Sequence, residues 1–155
     1  NIPNGGGAVP VADVGVAILT EPVREISPMP LPPVGFLDDL RAAGQLRRSD
    51  QTKITIVGYG LELDADFPPD GRRRVAQAEF QNLHDRWLTL DKNISHDNGG
   101  GGSGDSGGPV LFVDPDTGEE SLVAIMSRGV EYRVDSDEAL GFLNAVIESV
   151  IAGEL

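Results

Sequence analysis

The sequence predicts an all-β domain that ends in one helix, and three observations carry that prediction. Twenty glycines and eleven prolines in 155 residues imply frequent turns between short strands. Short runs rich in β-branched residues recur between those turns. The apolar period then changes over residues 136–152, where Leu140, Leu143, Val146, Ile147, Val150 and Ile151 recur at helical spacing.

Taken in order, residues 1–12 read as loop, with Gly5-Gly6-Gly7 and Pro10. Asp13 opens the apolar run Val14-Gly15-Val16-Ala17-Ile18-Leu19, which predicts a buried strand ended by Pro22. Residues 27–33 hold Pro28, Pro30, Pro32 and Pro33 and read as an extended connector. Phe36 to Leu46 predicts a short helix with Leu37, Leu40 and Leu46 on its apolar side. Lys53 to Gly60 alternates polar and apolar residues and predicts a strand. An acidic, proline-bearing turn follows, with Asp64, Asp66, Pro68, Pro69, Asp70 and Gly71. Residues 72–83 and 86–91 predict two more strands, and residues 97–108 a glycine-rich loop. Pro109 to Val113 and Ser121 to Met126 predict a hairpin around the turn from Asp114 to Glu120, and Tyr132 to Val134 a last short strand.

Composition excludes several function classes. A net charge of −13 argues against nucleic acid as a partner, since phosphate binding needs clustered Lys and Arg. The basic run Arg72-Arg73-Arg74 sits beside an acidic loop and reads as a solvated turn. With no cysteine, disulfides and thiolate metal sites are ruled out. No apolar run approaches the roughly 18 residues of a helical membrane span. The stretch from Asp114 to Gly118 does not meet EF-hand spacing, so neither metal nor cofactor is predicted.

The segment Gly104-Asp105-Ser106-Gly107-Gly108-Pro109 carries the chemistry. A serine hydroxyl is a poor nucleophile unless a base takes its proton and donors hold the oxyanion. Gly104 has no side chain, so a substrate carbonyl can approach its N–H, and the Ser106 N–H can serve the same oxygen. Asp105 can anchor the turn, while Gly107 and Gly108 let the backbone bend. The same string fits the G-x-S-x-G elbow of α/β-hydrolases. That elbow needs a strand before the serine, a helix after it and a later histidine; glycines precede Ser106, a strand follows it, and no histidine lies beyond it. A subtilisin-type order through Asp13, His84 or His96, and Ser106 lacks the strand–helix alternation of that fold.

GDSGGP at residues 104–109 resembles the nucleophile signature of trypsin/chymotrypsin-like serine proteases, and the bacterial, cysteine-free members are the most similar. Three other segments share the resemblance, which runs from Asp13 to the C-terminus and is weakest over residues 25–85. Asp13 and the apolar run after it resemble the strand that begins with the catalytic carboxylate, 93 residues before Ser106. Leu122 to Gly129 resembles the strand ending in Ser-Trp-Gly, with Arg128 in place of the usual Trp. The tyrosine-bearing strand followed by a helix matches the family's C-terminal end.

The resemblance implies a serine endopeptidase acting through an acyl-enzyme on protein or peptide substrates outside the cell, without a cofactor. Ser106 is the implied nucleophile and Asp13 the carboxylate that orients the base. Gly104 and Ser106 form the oxyanion hole, while Gly100, Ser127, Arg128 and Gly129 contact substrate. Gly100 falls at the implied pocket floor and no acid occupies it, which predicts a small or apolar preference rather than Arg or Lys. Asp105 would pair with a newly exposed N-terminal amine in many members. The implied fold is the second antiparallel β-barrel of a two-barrel protease. Residues 1–24 would be a remnant of the first barrel, 25–49 the linker with its short helix, and 50–155 the barrel with a helix packed across its back.

The family's histidine should lie upstream of Asp13, and none of residues 1–12 is His. His84 reads as an ordinary surface residue, and nothing in the sequence orients His96 toward Ser106. The expectation is therefore a C-terminal portion lacking the histidine-bearing part that activity needs. The alternative is an inactive homologue acting as a binding module.

Overall fold

A computed structural model describes residues 13–61 and 70–154; most of the predicted acidic turn lies outside them. Six strands close into one antiparallel barrel: β1 (Lys53–Gly58), β2 (Arg74–Leu83), β3 (Trp87–Asp91), β4 (Pro109–Val113), β5 (Glu120–Ser127) and β6 (Val130–Arg133). Around the barrel the order is β1-β2-β3-β6-β5-β4.

The strands form where side chains of alternating character can split between core and solvent. In β1, Ile54 and Ile56 are buried while Lys53, Thr55 and Val57 are half-buried on the other face. The strand pairs along its whole length with β2, from Lys53 opposite Glu79 to Gly58 opposite Arg74. A register shift between Phe80 and Asn82 bends β2 toward β3. The β4–β5 hairpin turns on Asp114, whose Oδ1 accepts from the N–H of Asp116 (2.8 Å) and of Thr117 (3.0 Å). Those two bonds hold the Asp114 carboxyl below its ordinary value. Ser127 opposes Val130, so β5 returns as β6 through Arg128 and Gly129 alone, with Gly129 at φ 88°. The circle closes where β6 meets β3, Trp87 opposite Tyr132 and Leu88 opposite Glu131.

Ile54, Phe80, Leu88, Val110, Phe112 and Val123 belong to one core cluster with Leu37, Leu40 and Leu46. Leu37 and Leu40 come from the helix α1 (Phe36–Ala42), shorter than the predicted span. Its N-cap residue is Gly35, which has no side chain to satisfy the first-turn N–H groups. Asp135, remote in sequence and fully buried, takes over: its Oδ2 accepts from Leu37 N–H at 2.8 Å, and its carbonyl from Gly35 N–H at 2.9 Å.

A buried guanidinium ties this cap to the barrel. Arg133 donates from Nε to Asp135 Oδ1 (2.9 Å), from Nη1 to the His84 carbonyl (2.8 Å), and from Nη2 to Asp135 Oδ2 (2.9 Å) and Asp38 Oδ2 (2.7 Å). Burial alone would lower its pKa, but the bonds to Asp135 and Asp38 outweigh that and raise it.

Two expectations are corrected. Residues 13–20 form no strand. The barrel is closed, so it offers this β-branched run no free edge to pair with, and Val16, Ile18 and Leu19 are exposed. The terminal helix, α2 (Asp137–Ala152), forms under a Ser136 N-cap and ends at the left-handed Gly153. It does not pack across the barrel's back: Ala139 and Leu140 are its buried residues, and Phe142, Ile147, Val150 and Ile151 face solvent. No helix among the described residues is long and apolar enough to cross a membrane.

Candidate active site

The loop between β3 and β4 carries Ser106, and the turn around it is built from main chain and one carboxylate. Asp105 Oδ1 accepts from Gly60 N–H (2.6 Å) and Oδ2 from Gly102 N–H (2.7 Å). Gly58 and Gly60, where β1 ends, make room for that carboxylate. A Cβ on Gly58 would collide with Asp105 Oδ1, and one on Gly60 would lie 2.6 Å from its Cγ. Leu61 N–H donates to the Ser103 carbonyl (2.9 Å). Gly107 N–H donates to the Met126 carbonyl and Met126 N–H to the Gly108 carbonyl, both at 2.9 Å, so the turn is sewn to β5. Gly104 at φ 101° and Gly107 at φ 86° occupy conformations that L side chains rarely adopt. Among the described residues the partners of the Asp105 carboxylate are two backbone N–H groups, one from the β1 end and one from the loop.

Among the described residues, neither the Ser106 hydroxyl nor the N–H groups of Gly104 and Ser106 have a hydrogen-bond partner. Ser106 is exposed and lines a cleft of about 480 Å³ together with Asp13, Val14, Gly15, Ser127 and Arg128. The Ser127 hydroxyl donates to Asp13 Oδ2. The structure therefore brings Asp13, Ser106, Ser127 and Arg128 to one cleft although residues 13–20 form no strand. The contact with Ser127, at the end of β5, anchors the carboxylate instead.

Neither of the chain's two histidines lines that cleft. His96 lies in a single 3-10 turn, Ile94–His96, and its Nδ1 is 2.8 Å from Asp91 Oδ2. That contact, with the Asn93 N–H, holds the Asp91 carboxyl below its ordinary value. His84 Nε2 faces Asn82 Nδ2 at 3.1 Å. Of the basic run, Arg72 and Arg73 are exposed outside any strand, as expected, while Arg74 opens β2 half-buried and is bonded by Asp70 through Nη1 and Nη2, each at 2.8 Å.

A second hollow of about 200 Å³ adjoins Ser106, bordered by Gly101, Gly102, Ser127, Arg128 and Gly129, with Lys92 and Glu131 among its walls. Gly100 stands outside that lining. A Cβ there would lie 2.7 Å from Lys92 Cδ, so the glycine lets the lysine stem pass beneath the loop. The lining carries Lys92, Arg128, Asp105 and Glu131 beside glycines and Met126. Sequence reading missed Lys92 and Glu131; the visible signal was an acid inside the short strand-forming run Val130-Glu131-Tyr132-Arg133, whose last three residues are buried. It also missed the space that Gly58 and Gly60 leave for Asp105.

In chemical terms the cleft holds the unbonded hydroxyl and N–H of Ser106 and a carboxylate tied to Ser127, whereas Gly104, whose N–H is also unclaimed, is not among its lining residues. The described residues contain no group of three metal-ligating side chains. Compared with known proteins, the chain matches no family model and no curated protein.

Proposed function

We propose that this chain carries the nucleophile, oxyanion donors and orienting carboxylate of a secreted serine endopeptidase of the trypsin-like type. The observation that supports it is the shared cleft: Asp13 and Ser106 line one hollow several times the size of an imidazole ring. Ser106 Oγ attacks the scissile carbonyl carbon, and its proton passes to the imidazole of a histidine that this chain does not contain. Asp13, held by Ser127, fixes the tautomer and orientation of that ring. The N–H groups of Gly104 and Ser106 receive the negative oxygen. The C–N bond then breaks as the leaving amine takes the proton, and water releases the acyl group by the reverse sequence. Losing one such donor typically lowers the rate by about 10²–10³. Without the base, a residual ~10³–10⁴ over water remains, so this chain by itself is close to inactive and needs a histidine-bearing partner segment.

The absence of both histidines from the cleft favours a second reading, in which the same hollow binds peptide without cleaving it. Labelling with a fluorophosphonate, read by mass spectrometry with and without added imidazole, separates the two. The protease reading expects imidazole to accelerate labelling at Ser106, Ser106→Ala to abolish it, and Asp13→Asn to remove most of the imidazole effect. Peptide binding with no modification of Ser106 under either condition supports the binding module.

A further inference from the structure

We infer that the hollow beside Ser106 accepts a neutral carboxamide side chain, Gln or Asn, from the residue on the acyl side of the cleaved bond; this rests on the endopeptidase reading. Glu131 is fully buried. Lys92 Nζ lies 2.6 Å from its Oε1 as a close ion pair, and Oε2 has no hydrogen-bond partner among the described residues. The ammonium also donates to the Gly129 carbonyl at 3.3 Å, which leaves it one proton to give. The pair thus offers the hollow one open acceptor, Glu131 Oε2, and one remaining ammonium proton.

Charge balance selects what fits. The two cations that line the hollow, Lys92 and Arg128, balance its two anions, Glu131 and Asp105. A Lys or Arg side chain would add a second cation next to Lys92, and an Asp or Glu a second anion next to Glu131, each uncompensated in a confined space. An aliphatic side chain would remove the water without replacing its hydrogen bonds. A primary carboxamide adds no charge: its N–H donates to Glu131 and its carbonyl accepts from Lys92. Gly101, Gly102 and Gly129 in the rim put no side chain in its path, and Gly100 keeps the lysine stem seated below.

The test uses binding, so it does not depend on the missing base. Peptides identical except for a C-terminal Gln, Asn, Lys, Glu or Leu are titrated into the chain by calorimetry. Gln or Asn should bind at least about tenfold tighter than the other three, since sites built around hydrogen bonds reject analogues that lack them. Lys92→Met leaves the acid alone and should shift preference toward Lys; Glu131→Gln leaves the cation alone and should shift it toward Glu. Circular dichroism confirms that each variant is folded, and either reciprocal shift suffices if the other variant does not fold. Lys, Glu or Leu binding as tightly as Gln and Asn in the wild type overturns the inference, as does binding of none of them. Carboxamide selectivity together with an unreactive Ser106 would defeat the protease reading alone.

Discussion

Glu131 and Arg133 stand two residues apart on β6, and both are at most 3% exposed. Their surroundings differ completely. Arg133 spends four side-chain N–H bonds on Asp135, Asp38 and the His84 carbonyl. Glu131 has one cation, Lys92, against Oε1, and its Oε2 has no hydrogen-bond partner among the described residues. Burial therefore does not tell a structural charge from a functional one; saturation does. A group whose valences are filled by its own fold stabilises that fold. A group left unfilled beside a hollow costs stability in the free protein and is available to a ligand.

The largest expected effect breaks the saturated half. Arg133→Met leaves Asp135 buried without its cation and loosens the cap on α1. Removing one partner of a buried pair typically costs about 3–5 kcal/mol, and urea denaturation should show a loss near the lower end, since Asp38 is half exposed. A loss below about 1 kcal/mol would erase the distinction between the two residues.

A third charged side chain sharpens the comparison. Asp105 is saturated by main chain alone, so its role is to position the turn that carries Ser106. Gly60→Ala places a methyl against that carboxylate. Imidazole-stimulated labelling of Ser106 should fall by about 10²-fold, the cost of losing one oxyanion donor, while the thermal midpoint moves less than in Arg133→Met. A midpoint loss equal to that of Arg133→Met would mean that the turn holds the fold and not the geometry of the serine.

The smallest effect concerns the unsaturated half and depends on pH. Burial raises the Glu131 carboxyl above its ordinary 4.5, with Lys92 pulling in the opposite direction. A raised carboxyl holds its proton more tightly in the folded chain than in the unfolded one. Its stabilising contribution is complete below about pH 4.5 and is lost as the pH climbs through the raised folded value. Glu131→Gln cannot titrate. Its thermal midpoint relative to the wild type should therefore rise from acid to neutral pH; a difference that stays flat or falls would show that Lys92 fully compensates the buried acid.

The strands, the hairpin around Asp114 and the terminal helix were legible because their signals are local: β-branched runs and alternation, a turn-forming stretch from Asp114 to Glu120, and a helical apolar period over residues 136–152. The strand expected at 13–20 failed because apolar β-branched character says nothing about whether a sheet edge is free. Asp13 and Ser106 were legible through a motif and a separation, and they do share a cleft. The Lys92–Glu131 pair was not, because it joins the end of β3 to β6 across a barrel closure that no local pattern encodes. Asp105's bonds to Gly60 and Gly102 were hidden for the same reason: a glycine's missing methyl shows its purpose only once its neighbour is known.

The uncovered apolar side chains of residues 16–26 and of α2 have a colloidal consequence. Val16, Leu19, Val23, Ile26 and Ile151 present oily surface to water, from 46% exposed at Val16 to 80% at Ile151. Mutual repulsion from thirteen excess negative charges keeps copies apart near neutrality. That repulsion vanishes close to the isoelectric point of about 4.3 and is screened by concentrated salt. Turbidity should therefore rise steeply in mild acid or high salt while the barrel itself is still folded.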